Sequence, residues 1–328
     1  MCKQDIDVYF LRQYAECYCD IENAEVCEYE YKCAYGDVYY IFLKRKIKSE
    51  RNPGYYDITT PYGYGGPVIL DCVLENRDAL VYEFSKDFTT YCYSNNIICE
   101  FIRFHPIIKN HIDFKQFYYP VYNRKTVCID LSSEDVMSAI SSTCRNRIRK
   151  AEGYGVEVDF DFSGERLDEF HKLYTLTMEK NLASSFYFFN KHFFDFSAKS
   201  LPNNCFFIHA LWEGRIISSV MFLYSEKYIH YHFPSTHPDF YHLSANDLII
   251  YSVIKWGIAQ GKDKIHLGGG RTNLENDTLL AFKKKFSKGA LSDFYVGKKV
   301  YNQKIYNEMC LERHISSDEQ YFPAYRVT

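Results

Sequence analysis

The chain has 328 residues, more than one hydrophobic core usually serves, so two domains are expected. Its 47% hydrophobic and 25% charged content is ordinary for a globular protein, and a formal charge of -3 gives no global attraction for DNA or an anionic membrane. No uncharged run is long enough for a transmembrane segment, and the N-terminal stretch lacks a signal-peptide core, so the expected location is cytoplasmic.

In chain order, VYYIFLKRKI (Val38 to Ile47) reads as a strand. The segment DITTPYGYGGP, from Asp57 to Pro67, carries prolines and glycines that suit a loop between strands. Leu74, Leu80, Val81, Phe84 and Phe88 suggest a helix from about Val73 to Tyr93. IICEFIRF is a strand ended by Pro106, and YPVYNRKTVCIDL a strand pair ending near Leu131. Ser133, Glu134 and Asp135 open a helix that Gly153 should stop. VEVDFDF alternates as a strand, and helices follow over Arg166 to Lys180 and Phe188 to Phe196. CFFIHALWEGRIISSVMFLYS is a hairpin turning at Glu213-Gly214, and KYIHYHFPST is a third strand. Ser244 caps a helix reaching Gln260, with Asp247 as an acidic version of the capping box. IHLGGG is a fourth strand, DTLLAFKKKF a short basic helix, and LSDFYVG a last strand completing that unit. Antiparallel strands, a helix and a crossover strand predict an α+β layer.

Several residues carry candidate chemistry. None of the 12 cysteines forms a C-x-x-C pair, so free thiols and no metal site are expected. There is no Gly-x-Gly-x-x-Gly or Walker lysine loop for a nucleotide. In a regular strand Tyr228, His230 and His232 face one way, and Ile229, Tyr231 and Phe233 the other. His232 or His230 could take a proton from an ammonium, or simply pack; His266, on the crossover strand, could approach His232. Gly268, Gly269 and Gly270 offer backbone amides to a phosphate or oxyanion, or only turn the chain. Arg271 can grip an anionic group, while Asp277 either orients an amine or caps the following helix. Lys283 could stabilise developing negative charge or be solvated. Arg145 and Arg149 share a helix face, which suits a phosphate or a solvated surface, and Arg147 points elsewhere.

Taken in order, DITTPYGYGGP, FIRFHP, RNRIRKAEGYG, YHLSANDLIIYSVIKWGIAQGKDKIHLGGG and LLAFKKKF resemble the FemABX-like branch of the GNAT acyltransferase superfamily, over roughly residues 35 to 300. The resemblance implies an α+β protein of two GNAT-like domains, 1–143 and 144–328, each a twisted mixed sheet with packed helices. It implies transfer of an acyl or aminoacyl group, from acyl-CoA or aminoacyl-tRNA, to an amine of an anionic cell-wall or sugar-nucleotide precursor, without a tightly bound cofactor. It makes TTPYGYGGP a cleft loop in which Tyr62 and Tyr64 meet the substrate, with Arg103 a phosphate ligand beside it. It also places Lys283 at the reacting or phosphate-bearing end; the residues themselves then offer His232 or Asp277 as base, with His266 nearby. The interval FPSTHPDFYHLSAND departs from the coenzyme A users, for it has no glycine and no arginine. An aminoacyl-tRNA-dependent peptide-bridge transferase and a non-catalytic binding protein on the same fold remain alternative readings.

Overall fold

The computed structural model describes residues 6–133, 136–274, 276–288, 290–316 and 318–327. Cys2, the helix-opening Glu134 and Asp135, and Glu275 of the polar string after the glycines lie outside the described residues. The chain divides into two compact units, residues 1–123 with 293–328, and residues 124–292. The contacts therefore part the chain at 123/124 and again at 292/293, and not at the 143/144 boundary of the sequence reading.

The first unit contains strands β1 (Ala24–Cys33), β2 (Gly36–Lys46), β3 (Tyr56–Thr59), β4 (Val68–Cys72) and β5 (Ile97–Arg103). Strands β1, β2 and β3 are antiparallel neighbours, β4 also pairs with β2, and β3 runs parallel to β5. The long helix Arg77–Ser94 lays Leu80, Val81, Phe84 and Phe88 on this sheet, four of the five apolar positions expected of it. The fifth, Leu74, lies in a preceding 3-10 turn and is exposed.

Strand β6 (Val121–Asp130) leads into the second unit, which holds β7 (Glu157–Asp161), β8 (Cys205–Trp212), β9 (Arg215–Tyr224), β10 (Tyr228–Thr236) and β11 (Lys264–Gly269). Their order is β6-β11-β10-β9-β8-β7, antiparallel except for the parallel β10–β11 pair. The β8–β9 hairpin turns at Glu213 and Gly214, both at positive φ, the geometry that matches strand twist in a two-residue turn. The helix Ala245–Ala259 buries Leu248, Ile249, Ile250, Val253 and Ile254 in a core shared with Phe206, Ile208, Phe222 and Ile265.

Three expectations are corrected. The helix expected from Ser133 to Gly153 is interrupted: a four-residue helix, Val136–Ala139, precedes Ser142–Gly153, whose cap is Ser141 accepting from the Cys144 amide at 3.2 Å. Ser244 adopts a left-handed conformation and makes no side-chain cap bond. Asp247 is instead turned toward Arg147, at 3.5 Å, and the Cys144 thiol. Finally, the last expected strand, β12 (Leu291–Val300), pairs antiparallel with β5 of the first unit. A strand's side-chain pattern says that it will pair but not with which edge.

Glu100 on β5 is buried among hydroxyls of the first unit. It accepts from Tyr301 at 2.5 Å and Tyr118 at 3.1 Å, beside Tyr40 and Lys299. Burial pushes its carboxyl up, the tyrosine bonds oppose this, and the result is a rise from 4.5 to about 7. A raised acid pKa favours the protonated folded state, so stability should be full below about 4.5 and fall as pH rises toward 7. The loss is on the order of 3 kcal/mol. Glu100→Gln should flatten urea unfolding midpoints between pH 5 and pH 8; a variant as pH-dependent as the parent would refute the assignment.

Candidate functional site

The parallel ladder between β10 and β11 lasts for three pairs, Tyr228–Lys264, Ile229–Ile265 and His230–His266. Beyond it β10 stays with β9 as far as Thr236, and β11 stays with β6 as far as Gly269. Both strands carry an irregularity at this point, which leaves His232 as the extra residue of β10 and Leu267 as that of β11. An inserted residue bends a strand and increases its twist, so the two strands part here.

The bulge also changes which side chains share a face. Ile229 and Tyr231 enter the core under the Ala245–Ala259 helix, as expected. Phe233 does not follow them: it stands opposite Met221 and packs against Tyr174, Phe189 and Phe194. One extra residue shifts a period-two pattern by one step. His266 is aligned with His230, their ring centroids 5.9 Å apart and both buried. His232 is the bulge residue itself; burial first, and His230 second, push its imidazole down to about 3, so it is neutral at physiological pH.

At the end of β11 the chain turns through Gly268, at φ +75°. Lys283, from the helix Thr278–Lys284, donates to the Gly269 carbonyl at 2.7 Å. Its ammonium stands 3.4 Å from where a Gly268 side chain would begin, and 5.7 Å from the centre of the Tyr231 ring. Burial brings this lysine down to about 7; Asp277 opposes the shift and Arg124 adds to it. Of the three consecutive lysines, Lys283 is the buried one.

Asp277 caps that helix, accepting from Leu280 N at 2.8 Å, Thr272 N at 2.8 Å and Thr272 Oγ1 at 3.1 Å. Burial alone would raise its carboxyl, but these donors outweigh burial and hold it at about 2. A side chain on Gly270 would begin 2.4 Å from Asp277 Oδ1, so glycine is what admits the carboxylate. The carbonyls of the glycine turn face cations: Gly269 O takes Lys283, and Gly270 O and Arg271 O take Arg124 Nη1 at 3.0 and 3.1 Å. Arg271 itself is exposed and donates to Asn181 Oδ1 at 2.8 Å.

The remaining candidates have partners of their own. Arg145 and Arg149 are exposed, Arg145 donating to the Ile140 carbonyl and Arg149 to Asn146 Oδ1 at 3.2 Å. Arg147, which the sequence reading turned away from them, reaches Asp247 and Ser244. In the first unit Tyr64 packs its ring on Tyr9, His105 and Phe294, and the Tyr62 carbonyl accepts from Tyr14. Arg103 donates to the Thr60 carbonyl at 3.2 Å and lies over the Phe101 ring. The parallel β3–β5 pair of that unit is prolonged by its own glycine loop, with Thr60 N bonded to Phe101 O and Gly65 N to Arg103 O. Asn110 then ties down the Gly65 and Pro67 carbonyls. The sequence reading missed Arg124, which stands in no recognisable motif, and gave Tyr231 only a strand face.

Residues 138–283 match the Acetyltransferase (GNAT) domain family. No curated protein matches by sequence. Among solved structures the chain is similar to FemX, with a TM-score of 0.70 at 13% identity, over 91% of this chain and 93% of that one. L-PGS from Bacillus licheniformis gives 0.54 at 13% identity, over 92% and 95%. A tandem GNAT protein from the clavulanic acid biosynthesis pathway gives 0.50 at 7% identity, over 84% and 83%. At these identities the likeness is one of fold, and it extends across both units. Residues 138–283 thus match the Acetyltransferase (GNAT) domain family, and the chain as a whole shares the fold of FemX.

Proposed function

We propose that the protein is an N-acyltransferase that moves an acyl or aminoacyl group from an activated donor to an amine of an anionic cell-wall or sugar-nucleotide precursor. The observation that carries this reading is the parting of β10 from β11 beside Lys283 in the second unit. The donor carbonyl lies at the parted strands, where its carbon faces the incoming amine. The neutral amine attacks, a C–N bond forms, and the carbonyl electron pair moves to oxygen. Lys283, near neutrality in charge, accepts the proton the amine loses. Collapse of the intermediate restores the carbonyl and breaks the bond to the leaving oxygen or sulfur, which takes the proton from Lys283. A base near the working pH balances proton affinity against availability. His232 near 3 and Asp277 near 2 are much weaker acceptors at pH 7.

Acyl-CoA and aminoacyl-tRNA both supply the activated bond. The interval before the Ala245–Ala259 helix, a 3-10 turn over Pro238–Leu243, has no glycine and no arginine, and Asp247 sits in the helix's first turn. The absence of a glycine loop at that helix start removes the usual seat for a coenzyme A diphosphate, which supports an aminoacyl ester. The test is transfer by purified protein to an amine-bearing, nucleotide-linked wall precursor, with acetyl-CoA and a pool of charged tRNAs as parallel donors. Mass spectrometry should find the precursor heavier by one aminoacyl group in the tRNA arm. Binding of the precursor without gain of mass from any donor would replace this reading by the non-catalytic one.

A further inference from the structure

We propose that Arg124 is a positioning residue for Lys283, holding the end of β11 in the shape that presents the Gly269 carbonyl to the lysine. Its catalytic meaning rests on the proton-carrying reading of Lys283, although the arrangement itself does not.

The geometry is that of a clamp on one short run of backbone. Three successive carbonyls, those of Gly269, Gly270 and Arg271, are each bonded to a buried or half-buried cation. Lys283 takes the first and a single Arg124 nitrogen takes the next two. Arg124 lies against the main chain to do this: a β-carbon on Gly269 would stand 3.0 Å from Arg124 Cδ and 3.0 Å from the Lys125 carbonyl. Gly269 is therefore the residue that lets the arginine pass. Thr272 N, the next donor along, is held by Asp277, so the turn is fixed from both ends.

The charge consequence follows from the same placement. Three groups act on the Lys283 ammonium: Asp277 favours its charged form, Arg124 opposes it, and the Tyr231 ring lies beside it. Removing the guanidinium takes away a like charge and loosens the turn that keeps the lysine buried. Both effects move Lys283 toward the ordinary lysine value.

The test observes the lysine directly. Protein labelled with 13C at lysine Cε is titrated by NMR from pH 5 to pH 11, and Lys283 is assigned by the signal lost in Lys283→Met. In the parent protein the Lys283 midpoint should lie near 7. Arg124→Gln should raise it by about one pH unit or more. Gly269→Ala, which displaces the arginine without removing its charge from the chain, should raise it in the same direction. Arg124→Lys, which restores a cation at the site, should return the midpoint toward the parent value. The proposal is overturned if Arg124→Gln and Gly269→Ala both leave the midpoint where it was. It is equally overturned if Arg124→Lys behaves as Arg124→Gln does. Should Arg124→Gln fail to fold, the other two variants decide. A protein inactive in every transfer assay could still show these shifts, so loss of the transferase reading and loss of this one are separable.

Discussion

Replacing Lys283 by methionine should lower acyl transfer by about 100-fold or more, the lower end of what a positioned proton carrier contributes. Replacement by arginine should be as damaging. Arginine keeps the positive charge but cannot give up its proton near neutrality, so it can stabilise an oxyanion and cannot act as the base. The pair of variants therefore separates two roles that one lysine could have. The pH profile adds a sign. If neutral Lys283 is the acceptor, kcat/KM rises with pH through about 7, the value to which burial has brought this group. If only the ammonium matters, its loss offsets the growing fraction of neutral substrate amine, and kcat/KM levels off or falls above about 7. A Lys283→Arg protein with most of the parent activity, or a falling limb near 7, would remove the proton-carrying role.

The second large effect is one of stability and concerns Asp57 in the first unit. This fully buried carboxylate accepts from Arg45 Nε at 2.7 Å, Arg326 Nε at 2.5 Å and Tyr325 OH at 2.8 Å. Arg45 is itself buried, with Glu22 as its second partner at 2.7 Å. Asp57→Ala leaves one buried guanidinium short of a partner and removes two of the bonds that tie Tyr325 and Arg326 to the sheet. Breaking a buried charge pair from one side costs roughly 3–5 kcal/mol. Arg326→Ala should cost less, because that side chain is partly solvated and its loss leaves Asp57 still paired. Equilibrium urea unfolding monitored in the first unit would measure both. An Asp57→Ala protein within about 1 kcal/mol of the parent would mean that water replaces the lost partners, which a site this dry does not favour.

The sequence made the local features legible and left the distant ones hidden. Glu213-Gly214 marks its hairpin because two-residue turns depend on the conformations their own residues allow. The Asp277 cap was visible for the same reason, since it and the amide it accepts from lie within one short helix and the turn before it. The β10 bulge was not, because YIHYHF alternates without a flaw and the shift is set by register against β9. The same shift hid that the residue paired with His266 in the ladder is His230. Arg124 has no local signature at all: its first acceptor, the Gly270 carbonyl, is 146 positions further along the chain. The glycines of TTPYGYGGP are closely packed as well: a side chain on Gly63 would come within 2.5 Å of the Tyr9 ring, and one on Gly66 within 2.9 Å of Ile102, contacts no sequence window contains.

The pairing of β12 with β5 makes the first unit discontinuous, while residues 124–292 form an uninterrupted one. A ribosome therefore delivers the whole of the inner unit before the outer one can close. Until residues 296–300 emerge, the edge of β5 that they will cover stays without that strand. An uncovered strand edge invites pairing with other chains. Nascent chains stalled between about residues 130 and 290 would be the most exposed to aggregation, a hazard that moving residues 293–328 ahead of the N-terminus by circular permutation would shorten.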